Sequence, residues 1–214
     1  MIKKIETLKS IIDVGVVAVV RASSSKEAIN IARASIKGGI NAIEVTFTVP
    51  GAEDVISSLK KEFKGDEIII GAGTVLDSET ARIAILKGAE YIVSPGFDSE
   101  TAKLCNRYQI PYMAGCMTIT EIIKAMESGV DVIKLFPGSA FGPGMVKDIK
   151  SPLPQAPIMP TGGVSLENVE EWIKNGCIAV GIGGCLTAPA KTGDYDKVTS
   201  IAKEFVAKVK KARE

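Results

Sequence analysis

The chain has 214 residues, a length that suits one domain or a small pair of domains. Its 26 basic and 25 acidic residues leave a formal net charge of +1, so the composition gives no support for nucleic acid as a partner. No run of about 18 apolar residues occurs, and we therefore expect neither a transmembrane helix nor a membrane partner.

The N-terminal segment, MIKKIETLKSIID, is charged throughout and lacks the apolar core of a signal peptide. It predicts a first helix and a cytoplasmic protein. None of the cysteines forms a CxxC pair, so we expect reduced thiols that behave as small buried hydrophobic residues. The cysteines are Cys105, Cys116, Cys177 and Cys185.

A pattern of helix, glycine and short apolar strand recurs along the chain. It occurs in residues 36–47, 85–95, 126–137 and 173–184. The glycines of this pattern suit the position after a helix end, where a left-handed backbone is needed. They are Gly39, Gly88, Gly129 and Gly176. For helix starts we expect Ser25 and Ser165 to act as caps.

Four further apolar segments lie between these repeats, at residues 16–21, 67–73, 111–115 and 157–163. Together they make eight candidate strands that alternate with helices, and strict alternation indicates a parallel sheet. No linker or charge block divides the chain. We therefore predict an α/β protein, a closed (β/α)₈ (TIM) barrel with an N-terminal helix, as a single domain over residues 1–214.

Two strands carry a charged residue on the face that should point into the barrel. In residues 41–48, Ile43 and Val45 form the apolar face toward the helices, which turns Glu44 inward. In residues 131–137, Ile133 takes the outer face and Lys134 the inner one. A buried ion pair with a purely structural role is the alternative, although such pairs are seldom net stabilising.

The chain contains no histidine, which excludes histidine-activated nucleophiles and imidazole metal ligands. The inward lysine and glutamate are then the best acid–base combination that the chain supplies. A neutral amine can form a Schiff base with a ketone, and a neighbouring carboxylate can accept the protons that such chemistry releases. Lys134 is the candidate nucleophile and Glu44 the candidate base.

Two glycine clusters follow the last two predicted strands, in PTGGVSLENVEEW and GIGGCL. In (β/α)₈ barrels the loops at these positions often hold a phosphate through backbone N–H groups. Turn glycines are the alternative reading of each cluster. Thr74 places a hydroxyl at the end of the third strand; a helix cap is its alternative role, for which Asp77 or Ser78 is better placed.

These segments together resemble the family of 2-dehydro-3-deoxy-phosphogluconate (KDPG) and 4-hydroxy-2-oxoglutarate (KHG) aldolases. The stretches that carry the resemblance are GGINAIEVTFT, IIGAGTVLD, GAEYIVSPG, GVDVIKLFP, PTGGV and GDYDKVT. They occur in the order and spacing of the family, from about Val16 to the C-terminal helix.

The resemblance implies a class I aldolase without metal or cofactor, usually a homotrimer, on a (β/α)₈ barrel. Its substrate would be a small keto acid phosphate, cleaved to pyruvate and glyceraldehyde 3-phosphate. A second substrate would be 4-hydroxy-2-oxoglutarate. It assigns the Schiff base to Lys134 and catalytic proton transfer to Glu44. The substrate-binding residues that it implies are Thr74, Pro95, Phe136, Thr161, Gly162, Gly163, Gly183 and Gly184.

The sequence departs from the family pattern at two positions. Thr48 stands where many members have an arginine that helps to hold the substrate carboxylate, and Arg21 is our candidate replacement for that charge. Gly184 stands where a serine often contacts the phosphate, so a backbone N–H remains but the hydroxyl is lost. Both departures concern the ends of the substrate and leave Lys134 and Glu44 in place.

Two other functions compete with the aldolase. One is another phosphate-binding barrel, such as a phosphosugar epimerase or an enzyme similar to thiamin phosphate synthase. The other is a non-catalytic barrel, natural or engineered, that serves as an oligomeric scaffold. Apolar side chains on the surface of the barrel would favour the scaffold function. We instead expect the candidate apolar residues to pack in the core. The residues concerned are Met126, Phe141, Met145 and Leu186.

Overall fold

The computed structural model describes residues 2–63 and 67–214. Met1 of the expected first helix and residues 64–66 of the expected domain lie outside the described residues. The strands are β1 (Val16–Val20), β2 (Ala42–Thr46), β3 (Ile69–Gly73), β4 (Tyr91–Val93), β5 (Tyr112–Cys116), β6 (Val132–Leu135), β7 (Ile158–Pro160) and β8 (Val180–Ile182).

Helices alternate with these strands over the described residues. They are α1 (Lys3–Val14), α2 (Ser25–Lys37), α3 (Ala52–Glu62), α4 (Ser78–Leu86), α5 (Ser99–Tyr108), α6 (Ile119–Glu127), α7 (Gly144–Lys150), α8 (Val169–Lys174), α9 (Gly184–Thr187) and α10 (Tyr195–Arg213). Each predicted strand is present, although most are shorter than the apolar run that predicts them.

All strand neighbours pair in parallel, in the order β7-β6-β5-β4-β3-β2-β1-β8. A single bridge between Thr161 and Gly181 links the strand β7 side to β8, so that the sheet is nearly closed. This is the (β/α)₈ barrel with an N-terminal helix that the sequence predicts.

Alternate strand residues divide the core into two clusters. Outward residues such as Ile43 and Ile133 pack against the helices. Inward residues form a smaller cluster inside the barrel: Val17, Ala42, Ile69, Tyr91, Val93, Met113, Val132, Met159 and Ala179. Ile11 of α1 joins the inner cluster and is only 1% exposed, so α1 closes the N-terminal end of the barrel with an apolar side chain.

The four predicted glycines end their helices with a left-handed residue. Gly39 has φ +95°. Its N–H bonds to the carbonyl of Ile36, and the N–H of Ile40 bonds to the carbonyl of Ser35. This is a Schellman motif, which satisfies carbonyls at the helix end. Gly88, Gly129 and Gly176 repeat the same pair of bonds.

Two predicted caps are wrong. The N-cap of α2 is Ser24, whose hydroxyl accepts the N–H of Glu27, and Ser25 is already the first helical residue. The N-cap of α8 is Asn168 rather than Ser165. The side chain of Asn168 accepts the N–H of Ser165, so the chain makes a turn before the helix begins. In both cases a neighbouring polar residue competes for the same role.

The apolar residues that were candidates for an assembly surface are largely covered. Leu186 is buried, and Met126, Phe141 and Met145 are partly buried against the outer core. Large apolar side chains are nevertheless exposed elsewhere on the described surface: Ile2, Ile5, Ile12, Leu76, Ile83, Leu86, Tyr108, Met117 and Ile123. No helix in the described ranges combines the length and the apolar character needed to cross a membrane.

We predict that Gly39→Ala lowers the free energy of unfolding by about 1–2 kcal/mol, because a β-carbon is strained at this positive φ. Urea denaturation measures the change. Gly144→Ala is the control: Gly144 opens α7, without a left-handed backbone and with open space around it, so the substitution should leave stability unchanged or higher. Equal losses in the two variants would contradict the role assigned to Gly39.

Candidate active site

Two oppositely charged side chains lie together inside the barrel. Lys134 of β6 and Glu44 of β2 are 4% and 1% exposed, and Nζ of the lysine lies 3.9 Å from Oε1 of the glutamate. This is the placement that the alternation of the strands predicts. The distance is too long for a hydrogen bond, so the pair is close without being locked together.

Glycines on the inner wall make room for this pair and its surroundings. A β-carbon at Gly73 of β3 would collide with the carboxylate of Glu44. One at Gly115 of β5, the residue paired with Lys134, would collide with the carbonyl of Pro95. Neither glycine is among the site residues predicted from the sequence. The alternation that places Lys134 inward also places them inward, and it is the signal that identifies them.

Phe136 covers the lysine from the mouth side. Its ring centroid lies 5.0 Å from Nζ of Lys134, within the range of a cation–π contact. The ring therefore provides an apolar wall beside the amine.

Several polar atoms at the floor of the site accept or donate no hydrogen bond within the described part of the chain. Neither carboxylate oxygen of Glu44 has a hydrogen-bond partner among the described residues, and the same holds for Oγ1 of Thr161. Buried polar groups are normally bonded, because desolvation without a partner is costly. Atoms of this kind inside an enclosed site are available to a substrate.

A cleft of about 520 Å³ opens above the floor, at the carboxyl ends of the strands. The predicted residues that line it are Arg21, Phe136, Thr161, Gly162, Gly163, Gly183 and Gly184. Unpredicted residues in its wall include Val19, Ser139, Ser165 and Cys185. Arg21 carries the one charge among the residues described as lining this cleft.

The glycine loops after β6 and β7 pack backbone against backbone. The N–H of Gly138 bonds to the carbonyl of Thr161 at 2.9 Å. Gly162 and Gly163 have φ of +86° and +74°, and a β-carbon at Gly163 would lie 2.7 Å from Cα of Ser139. Side chains are excluded from this contact, so the cleft wall here presents backbone groups.

Five predicted site residues lie outside the lining of the cleft in this structure: Lys134 and Glu44, which lie below it, and Thr48, Pro95 and Thr74. Thr48 is exposed at the mouth, where its hydroxyl lies 3.1 Å from that of Thr46. Pro95 extends its carbonyl into the barrel wall. Thr74 has φ +57°, which is unusual for a β-branched residue and marks local backbone strain at the end of β3. Asp77, not Thr74, caps the following helix.

Cys185 differs from the prediction that every cysteine is buried. It is exposed in the first turn of α9 and lines the cleft, whereas Cys105, Cys116 and Cys177 are buried. Its sulfur lies 3.5 Å from the carbonyl of Val164, so the thiol is more sheltered than the residue as a whole. This partial burial raises the pKa of Cys185.

Comparison with known proteins finds similarity to aldolases, both in a family model and in a curated relative. The model of a family described as "KDPG and KHG aldolase" matches residues 7–201. A curated relative, 2-dehydro-3-deoxy-phosphogluconate aldolase of Treponema pallidum, is 34% identical over 195 residues, which cover 89% of this chain and 91% of the relative.

Two solved structures extend the comparison. KDPG aldolase of Legionella pneumophila, solved with pyruvate captured at low pH as a covalent carbinolamine intermediate, has a TM-score of 0.82 and 28% identity, covering 88% of this chain and 92% of its own. A cube-shaped, highly porous protein cage, designed by fusing symmetric oligomeric domains, has a TM-score of 0.85 and 32% identity. That match covers 93% of this chain and 73% of the cage chain.

We predict that iodoacetamide labels Cys185 alone in the folded protein. The thiolate is the reactive form, so the raised pKa should make labelling slow near pH 7 and faster as the pH rises. Burial raises the pKa of Cys105, Cys116 and Cys177 to about 12, and these thiols should react only after unfolding. Peptide mapping by mass spectrometry identifies the labelled residue.

The control is Cys185→Ser, which should leave the folded protein unlabelled, while denatured wild type takes up label at all four cysteines. Labelling of a buried cysteine before Cys185 would show that the exposure of these thiols is wrongly assigned.

Proposed function

Because the chain belongs to the KDPG and KHG aldolase family, whose members are lyases, we propose that it is a class I aldolase with its Schiff base on Lys134. The proposed reaction is cleavage of 2-dehydro-3-deoxy-6-phosphogluconate to pyruvate and glyceraldehyde 3-phosphate. Cleavage of 4-hydroxy-2-oxoglutarate to pyruvate and glyoxylate is a second proposed activity, in line with the two substrates in the family description.

The observation that carries this proposal is the buried pair of Lys134 and Glu44 below an open cleft. Desolvation makes such a pair a poor source of stability, so a chemical role accounts for it better than a structural one. The carbinolamine named for the Legionella enzyme is an adduct of pyruvate, the product proposed here.

The reaction begins at the C2 ketone of the substrate. The amine of Lys134 attacks this carbon to give a carbinolamine, and loss of water gives an iminium ion. Glu44 supplies and removes the protons of the dehydration, directly or through a water molecule. The iminium at C2 then accepts the electron pair of the C3–C4 bond when that bond breaks.

Cleavage follows when a base takes the proton of the C4 hydroxyl. The C3–C4 bond breaks, its electron pair moves into the iminium to form an enamine, and the aldehyde leaves. Glu44 is the proposed base, because it is the carboxylate beside Lys134. Protonation of the enamine at C3 restores an iminium, and hydrolysis then releases pyruvate and the free amine.

The two ends of the substrate need separate binding groups. For the carboxylate we propose Arg21, assisted by Thr48 and Thr74, since Arg21 is the charged residue of the described cleft lining. For the phosphate we propose the backbone N–H groups of the glycine loops, because the absence of side chains allows close approach. The glycines are Gly162, Gly163, Gly183 and Gly184. Pro95, Phe136 and Thr161 complete the proposed pocket.

We further propose a homotrimer in the cytoplasm, with residues 1–214 forming a single domain. Exposed apolar side chains such as Leu76 and Leu86 support an assembly, as does the similarity to a cage built from symmetric oligomeric domains. Cysteines that are free in the described structure suit a reducing compartment.

We predict that borohydride reduction in the presence of pyruvate leaves a stable adduct on Lys134, because reduction fixes the iminium. Peptide mass measurement locates the adduct. Lys134→Ala should lose it, whereas Lys174→Ala, a change at an exposed lysine of α8, should keep it. If wild type forms no adduct at high pyruvate, the aldolase proposal fails and a non-catalytic scaffold becomes the better explanation.

We predict that Glu44→Gln folds, traps pyruvate slowly and lowers kcat by about 10²- to 10⁴-fold, the range for loss of a general acid–base group. Release of pyruvate, measured with a coupled lactate dehydrogenase assay, gives the rate on each proposed substrate. Glu100→Gln, at an exposed position of α5, is the matched control and should retain wild-type turnover. Turnover by Glu44→Gln at the wild-type rate would refute the role of this carboxylate.

A further inference from the structure

Tyr91 carries a hydroxyl group that packing does not explain. The residue is fully buried in the inner cluster of the barrel, and its hydroxyl has no hydrogen-bond partner among the described residues. A phenylalanine would fill the same space without desolvating a polar atom. The hydroxyl therefore needs a partner that the resting fold does not supply.

The strand register places Tyr91 at the same level of the barrel as Glu44, two strands away. Glu44 of β2 pairs with Gly71 of β3, and Gly71 pairs with Tyr91 of β4. A β-carbon at Gly71 would collide with the ring of Tyr91, so the ring lies over the glycine that separates it from Glu44. Since Gly71 has no side chain, the ring of Tyr91 can lie across β3, near enough to Glu44 for the carboxylate charge to contribute to the raised pKa of Tyr91.

Both groups are suited to form a hydrogen bond with each other. The two carboxylate oxygens of Glu44 also have no hydrogen-bond partner in the described parts of the chain. Burial raises the pKa of Tyr91 well above its ordinary value, and the negative charges of Glu44 and Glu90 raise it further. The phenol consequently remains protonated and can act as a donor.

We propose that Tyr91 is a positioning residue for Glu44, donating a hydrogen bond from its hydroxyl, directly or across one water molecule, to the carboxylate as it exchanges protons with the Lys134 adduct. This inference rests on the proposed aldolase function. The hydrogen bond from Tyr91 holds the carboxylate of Glu44 in one orientation during proton transfer. Tyr91 makes no contact with the ends of the substrate, which the cleft binds.

The test is Tyr91→Phe, which removes only the hydroxyl. In D₂O the enamine of pyruvate exchanges the methyl protons for deuterium, and proton NMR follows this exchange without any aldehyde. We expect exchange and kcat to fall roughly tenfold, the effect of one lost hydrogen bond to a charged group, with KM retained. The yield of the borohydride-trapped adduct on Lys134 should persist at long incubation.

Tyr195→Phe is the control, because Tyr195 lies on α10 outside the barrel and is partly buried; it should keep wild-type exchange. The melting temperature of Tyr91→Phe should be unchanged or higher, since no bonded hydroxyl is lost from the resting fold. If Tyr91→Phe does not fold, Tyr91→Met removes the same hydroxyl with a flexible side chain.

The outcomes separate this inference from the proposed function. Wild-type exchange and kcat in Tyr91→Phe, with trapping intact, would overturn the positioning role and leave the aldolase standing. A fall in melting temperature with unchanged exchange would show that the hydroxyl is structural. If the wild-type protein neither traps pyruvate nor exchanges its protons, the function and this inference fail together.

Discussion

The proximity of Lys134 and Glu44 is the constraint on which the rest of the barrel interior depends. Two charges removed from water, 3.9 Å apart, carry a desolvation cost that their mutual attraction does not fully offset. The surrounding wall has room for them because two of its residues lack a side chain. Gly73 leaves space for the carboxylate, and Gly115 lets the carbonyl of Pro95 enter the wall beside the lysine. The geometry of the site is therefore created as much by missing β-carbons as by the two charged side chains.

An apolar lower half supports this polar upper half. The inner cluster fills the barrel below the pair, and Ile11 of the first helix seals the end away from the cleft. The end of the barrel away from the cleft is thereby closed to bulk solvent, and apolar surroundings strengthen electrostatic interactions among the groups above them. The glycine loops at the opposite end leave backbone groups facing the cleft. The fold thus separates a sealed end from a binding end along one axis.

Strand alternation explains why much of this was predictable. It identifies the inward faces of β2 and β6 from sequence, and the recurring glycines mark where helices end. Caps were less predictable, since Ser24 and Ser25 are chemically identical neighbours and only the backbone path distinguishes them. The predicted burial of Cys185 is wrong, because its exposure depends on how the chain turns over the cleft after β8. The alternation of apolar residues does not predict such a turn. Tyr91 follows the alternation rule, but its significance appears only when the register of three strands is known.

The four Schellman turns have a consequence beyond helix termination. Each one introduces an even-numbered strand, so that β2, β4, β6 and β8 are entered through the same backbone geometry. A fifth turn of the same kind introduces β5: the N–H of the left-handed Gln109 bonds to the carbonyl of Asn106, and the N–H of Ile110 bonds to the carbonyl of Cys105. These five strands therefore begin strand–helix units that share one backbone geometry at the entrance. Such units offer natural boundaries for recombination between related barrels, with Glu44 on β2 and Lys134 on β6 carried by separate units.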